Sequence, residues 1–173
     1  MPFTKIPMPA MPACRGSFYG AMILHRPGAT GYDPTMDDTG FVLTQIGTVE
    51  SPLTDPESAP KQGFEGSPVA WLVFDPAVSE GLQDLREGEQ IIVLTWLHRA
   101  ARDILKVHPR DDPSVPEHGV FSTRSSDRPN PIGLHLVEIV SFEDLRIQVR
   151  NLEAVDGTPI LDVKPRLHGI PDA

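Results

Sequence analysis

Leu134-His-Leu-Val-Glu-Ile-Val140 and Leu145-Arg-Ile-Gln-Val149 decide the fold class. Both follow the period of two that half-buried antiparallel strands require. Ser141-Phe-Glu-Asp144 lies between them and reads as the turn of a hairpin. Outward from this pair, Gln90-Ile-Ile-Val-Leu-Thr-Trp-Leu-His98 reads as a core strand and Val69-Ala-Trp-Leu-Val-Phe74 as a buried one. Phe41 to Glu50 reads as one strand ending at Ser51-Pro52, and Pro159-Ile-Leu-Asp-Val163 as the last. Asp75-Pro76 is an N-cap followed by proline at the first helical position. Val78, Leu82 and Leu85 then share one helical face, and Gly88 suits the stop. No repeated strand–helix–strand pattern occurs, so the pattern is mainly β: an antiparallel barrel or sandwich with one or two short helices.

The 173 residues suit one domain, and 39% hydrophobic with 23% charged residues describe a globular chain. With 15 basic and 24 acidic residues the net charge is −9. Non-specific coating of nucleic acid is excluded on that balance, so any such contact must come from a local basic patch. Cys14 is the single cysteine, which excludes an internal disulfide or a cysteine-based metal cluster. His25, His108, His118, His135 and His168 show no metal spacing, so no metal is expected. No apolar run approaches the roughly 20 residues of a spanning helix, and the start lacks a signal-peptide core. The expected place is the cytoplasm, away from membranes. Residues 1–40, punctuated by Pro2, Pro7, Pro9 and Pro12, read as an N-terminal arm with a short strand around Met22-Ile-Leu24. A poorly ordered tail and an arm packed on the domain or a partner are both compatible with that composition. Residues 41–173 form the domain.

Three segments are richer in polar and rigid residues than a connection needs. Gly119-Val-Phe-Ser-Thr-Arg-Ser-Ser-Asp-Arg-Pro-Asn-Pro-Ile-Gly133 sets Arg124 and Arg128 four apart among hydroxyls and holds Asn130 extended between two prolines. Such a loop suits a carboxylate or phosphate, although a surface turn with an Asp127–Arg128 pair explains the same composition. Asp156-Gly-Thr-Pro159 is a strong turn signal between strands, and Asp162 and Lys164 beyond it fall on one face. His98-Arg99 ends the core strand, a position compatible with a structural or a functional histidine. Residues 99–118 hold three prolines and read as a long loop. The chain lacks GxGxxG, a Walker sequence, HExxH and GxSxG, which removes the main support for Rossmann, P-loop and zinc-peptidase chemistry.

Together these segments resemble the TsaA-like (TrmO) family of S-adenosylmethionine-dependent tRNA methyltransferases. The likeness rests on Gly119 to Leu134 and on Asp156-Gly-Thr-Pro-Ile-Leu-Asp-Val-Lys-Pro165. Gln45-Ile-Gly-Thr-Val-Glu-Ser-Pro52 and Pro60-Lys-Gln-Gly63 support it. Departures are Leu53 and Arg166, where the family usually has tyrosine. The resemblance implies a small non-Rossmann β-barrel, usually a homodimer, that methylates N6 of threonylcarbamoyladenosine beside the anticodon of tRNA. It places cofactor contacts at Gln62, Gly63, His98, Arg99, Arg124, Leu134, Asp156, Gly157, Thr158 and Pro159. Substrate contacts would fall on Arg128, Asn130 and Lys164, and His98 would serve as the catalytic base. Longer members carry a C-terminal domain thought to help hold tRNA. The acidic charge keeps two other functions in view: methyl transfer to a small molecule or another RNA, and a non-catalytic nucleotide-binding barrel.

Overall fold

A computed structural model describes residues 22–24 and 41–167. Its strands are β1 (Met22–Leu24), β2 (Phe41–Leu43), β3 (Gly47–Glu50), β4 (Ala70–Phe74), β5 (Gln90–Trp96), β6 (Lys106–Val107), β7 (His118–Gly119), β8 (Ile132–Glu143), β9 (Arg146–Arg150) and β10 (Pro159–Pro165). Six of them pair antiparallel in the closed order β10-β3-β4-β9-β8-β5, each with two neighbours. The short pairs β1-β2 and β6-β7 stand apart from that sheet. β1 coincides with the strand expected around Met22-Ile-Leu24; the rest of the expected arm lies outside the described residues.

The alternation of β8 and β9 is realised, but the turn comes later than Ser141. β8 runs to Glu143, which pairs with Arg146, and only Asp144 and Leu145 make the loop. Asp144 takes φ +51°, a left-handed conformation that aspartate tolerates better than most residues. A register shift between Ile139 and Ser141 bends the pair.

The inward faces build one core. Val49, Leu72, Ile91, Val93, Val137, Ile139, Ile147, Val149 and Ile160 are almost wholly removed from water. A second register shift, between Ile160 and Asp162, lets Ile160 sit opposite Thr95 and Val163 opposite Val93. Asp162 and Lys164 therefore lie outside, opposite Leu94 and Ile92, and bond each other at 2.7 Å.

Three expected elements are shorter or different. Phe41–Glu50 is two strands rather than one, broken at Thr44–Ile46, where Ile46 bonds to Ile160 and Asp75 instead of continuing a ladder. Gly47 permits the close entry into β3, since a Cβ there would press into the Val73 carbonyl. The expected helix is a 3-10 helix over Pro76–Leu82, capped by the Asp75 carboxylate accepting from the Ala77 amide at 2.8 Å. Seven residues are too few to recover the cost of nucleating a stable α-helix, with Gly81 inside the segment and a left-handed Asp84 soon after it. Val78, Leu82 and Leu85 still pack against the core as their spacing predicts. The long loop carries β6, a 3-10 turn at Pro109–Asp111, and β7.

Candidate functional site

Several of the expected site residues gather at one end of the closed sheet through backbone contacts. The end of β3 and the segment after it meet the Asp156-Gly157 turn: the Asp156 amide donates to Leu53 O at 2.7 Å and the Gly157 amide to Val49 O at 2.9 Å. The Asp156 carboxylate accepts from the Ser51 amide at 3.0 Å. This turn does not join neighbouring strands, because β9 and β10 do not pair; it anchors β10 to the segment after β3. Gly157 has φ +76° and open space on its Cβ side. Thr158 is buried, its hydroxyl donating to Val155 O at 2.7 Å, and Pro159 opens β10 opposite Thr48.

Arg99, just past β5, joins the same group by donating to Thr54 O at 2.6 Å. Gln62 and Gly63, in the early loop, have their contacts elsewhere: Gln62 O accepts from the Glu65 amide, and Gly63 meets the segment after β9. Gly63 lies so close to the segment after β9 that a Cβ would overlap the Asn151 carbonyl and come within 2.9 Å of Glu153 Oε2. His98 stands beside Arg99, and its Nδ1 is buried with no hydrogen-bond partner. Its pKa is lowered, first by burial and then by the neighbouring Arg99 charge, so the neutral ring predominates at neutral pH. Trp96, 2% exposed, likewise leaves its Nε1 donor without a partner, with Arg102 stacked 5.2 Å over the ring.

The Arg124–Asn130 loop is tied to this end at Ala101. The Ala101 amide donates to the Asp127 carboxylate at 2.8 Å, and the Arg128 amide donates to Ala101 O at 3.0 Å. This replaces the Asp127–Arg128 ion pair considered above. Arg128 is expected to face a substrate, but its guanidinium is spent inside the loop. It donates to the carbonyls of Ser125, Val120 and Thr123 at 2.7, 3.1 and 2.7 Å. Arg124, by contrast, is exposed and has no ion-pair or hydrogen-bond partner among the described residues. Asn130 is exposed, and its carbonyl accepts from the Ile132 amide.

Two more expected residues lie elsewhere. Lys164 pairs with Asp162 opposite Ile92. It is six residues, about 20 Å of strand, from Thr158. It is not brought to the cluster. Leu134 is on the outer face of β8, 52% exposed and opposite Leu94, with Ile132 and Leu136 exposed beside it.

Neither His135 nor Glu153 stands out in the sequence as a site residue. His135 is buried in the core with Nε2 2.8 Å from Thr95 Oγ1 and Nδ1 2.9 Å from Glu153 Oε1. Alternation on β8 was the available signal, since a face holding Val137 and Ile139 also holds His135. Glu153 carried no pattern.

These residues fit S-adenosylmethionine in donor chemistry. Arg124 is a free cation for a carboxylate. Trp96 Nε1 is an unused donor, and Gly157 leaves room beside the backbone. No helix among the described residues is long and apolar enough to cross a membrane.

The tRNA-methyltransferase O N-terminal domain family matches residues 48–170. An S-adenosyl-L-methionine-binding protein of Archaeoglobus fulgidus is 42% identical over 124 residues, 72% of this chain and 88% of that protein. A probable S-adenosyl-L-methionine-binding protein of the same organism is 42% identical over 71% of this chain, but the match spans only 33% of its length. The crystal structure of TrmO from Pseudomonas aeruginosa superposes with a TM-score of 0.59 at 28% identity, covering 76% of this chain and 59% of that one. The fold is mainly β and TrmO-like, and the chain belongs to the tRNA-methyltransferase O N-terminal domain family.

Proposed function

We propose that this chain is an S-adenosylmethionine-dependent methyltransferase acting on N6 of threonylcarbamoyladenosine beside the tRNA anticodon. The barrel of residues 41–173 would be its catalytic unit, with 1–40 as an arm, working as a cytoplasmic homodimer. The observation that carries it is the meeting of Arg99, Asp156, Gly157 and Thr158 with the end of β3 and the segment after it, with Arg124 exposed and unpartnered on the loop tied to that end at Ala101.

When bound, the cofactor supplies an electrophilic methyl group on a sulfonium. The protein's task is then mainly alignment, because the leaving sulfur becomes neutral. Arg124 binds a carboxylate, from the cofactor's methionyl end or the substrate's threonyl group. Asp156 and the open backbone at Gly157 receive a cofactor amine or ribose hydroxyl. Neutral His98 takes the proton from N6, a poor nucleophile that gains from a base. Arg99, Arg102 and Arg124 are exposed near this end and would be the cations available to RNA, although Arg110 is held by Glu65 and Asp103, Asp111, Asp112 and Glu117 are exposed in the same stretch. The apolar outer face of β8, Ile132, Leu134 and Leu136, is the surface best suited to a second copy.

Incubation with labelled cofactor and bulk tRNA from cells lacking the modification tests the acceptor. Label in a single modified adenosine is expected. Label only in small molecules or in another RNA would favour the second reading. Binding without transfer to any acceptor would favour the non-catalytic barrel.

A further inference from the structure

Phe121 is 80% exposed, more than any other large apolar side chain among the described residues. The backbone that carries it is nonetheless fixed. Val120 before it is buried, and its amide donates to Leu105 O at 3.1 Å. The Val120 carbonyl accepts from the Thr123 amide at 3.1 Å, the Thr123 hydroxyl at 3.0 Å and the Arg128 guanidinium at 3.1 Å. After the ring, the Ser122 hydroxyl donates to Gly119 O at 2.8 Å. The 3-10 turn Val120–Ser122 thus sends the valine into the protein and holds the phenylalanine out of it. A ring left in water adds nothing to the core; what it presents is a flat apolar face at a fixed place.

The neighbours of the ring narrow what that face can meet. Lys106 lies opposite Gly119 across the β6–β7 pair, and Arg124 follows three residues after Phe121. Both are exposed and have no ion-pair or hydrogen-bond partner among the described residues. Phe64 is 77% exposed as well, but the cations around it are taken: Lys61 by Asp111 at 2.5 Å and Arg110 by Glu65 at 2.7 Å. The outer face of β8 is aliphatic, which suits protein. An aromatic ring flanked by free cations suits a planar base carried on a phosphate chain. Asp103 and Glu117, exposed in the same stretch, offset part of that charge, and stacking supplies what phosphate attraction alone does not.

We propose that Phe121 is a stacking platform for an unpaired base of the RNA acceptor, with Lys106 meeting the phosphate beside that base. This rests on the methyltransferase reading in taking a single-stranded stretch of RNA as the acceptor. Arg124 keeps the carboxylate role given above, so the base on Phe121 is a neighbour of the modified adenosine and not the adenosine itself.

Two measurements on the full chain test it: binding of a labelled eight-residue oligouridylate, followed by fluorescence anisotropy, and the kinetics of methyl transfer to tRNA. Phe121→Ala is expected to raise the Kd for the oligonucleotide about tenfold and the KM for tRNA by a similar factor, with kcat and the cofactor Kd little changed. Phe121→Leu keeps apolar bulk without an aromatic face and should lose as much. Phe121→Trp should bind as the unaltered protein does, and RNA should quench its emission more than it quenches that of the unaltered protein. Because the ring is exposed, all three variants should melt as the unaltered protein does. Oligonucleotide binding that Phe121→Ala or Phe121→Leu leaves intact would overturn the proposal, as would an unaltered protein that binds no RNA. Loss of a dimer in Phe121→Ala would also overturn it, since the ring would then be a protein contact. If RNA binding needs Phe121 but no methyl group reaches tRNA, the acceptor reading falls and the platform stands. If Phe121→Ala methylates tRNA with an unchanged KM, the platform falls and the acceptor reading stands.

Discussion

His98 is where residue-scale chemistry is most exposed to test. Burial and Arg99 lower its pKa, so the ring is ready to accept a proton at neutral pH and is lost as a base only in acid. Methyl transfer should therefore be flat above pH 6.5 and fall below it, through the folded-state pKa. Stability follows the same sign. The unfolded chain binds more protons on this group, so its contribution is complete above about 6.5 and declines as pH falls toward the folded pKa. His98→Gln should keep cofactor binding and lose turnover by about a hundredfold, removing the acid limb. Full turnover at saturating cofactor would end the base assignment. At Gly63 the prediction is steric. Gly63→Ala must push the loop off Asn151, costing roughly 1–3 kcal/mol and visible as a lower melting temperature.

Among the elements, the 119–133 loop behaves as a folded part rather than a tether. Arg128→Ala removes three guanidinium–carbonyl bonds, so the loop should loosen by roughly 1–3 kcal/mol and Arg124 should lose its fixed place. Proteolysis within 120–130 checks this, and unchanged cleavage would show that the bonds hold nothing. The strands were legible in the sequence because period-two runs such as Leu145–Val149 leave little choice. Which face turns inward was not. Leu134 and Leu136 are as apolar as Val137 and Ile139, and only the register against β5 sends the leucines out and His135 in. The Asp156-Gly157 turn was legible as a turn but not as an anchor, since its partners Leu53 and Val49 lie a hundred residues away in sequence. Arg124 could be chosen by motif; that its neighbour Arg128 is consumed by carbonyls follows from the loop's path, which no local pattern encodes. Glu153 stayed hidden for the same reason.

At the scale of the whole molecule the chain is acidic. Among the described residues, unfilled Trp96 Nε1 and His98 Nδ1 lie at the end of β5, Arg124 is on the loop tied to it at Ala101, and an apolar surplus lies on the outside of β8. If that surplus is a dimer interface, Leu134→Asp with Leu136→Asp should give monomers in sedimentation while the barrel still melts cooperatively; an unchanged mass would remove the face from the assembly. RNA binding through the loops around Arg124 should weaken steeply with salt despite the net charge of −9. Cofactor binding is tested most directly by calorimetric titration of the purified protein with S-adenosylmethionine, repeated on Arg124→Ala. Saturable binding of one cofactor per chain, lost or severely weakened in the variant, is the predicted result. Absence of binding at millimolar cofactor, or equal binding by the variant, would contradict the assigned site.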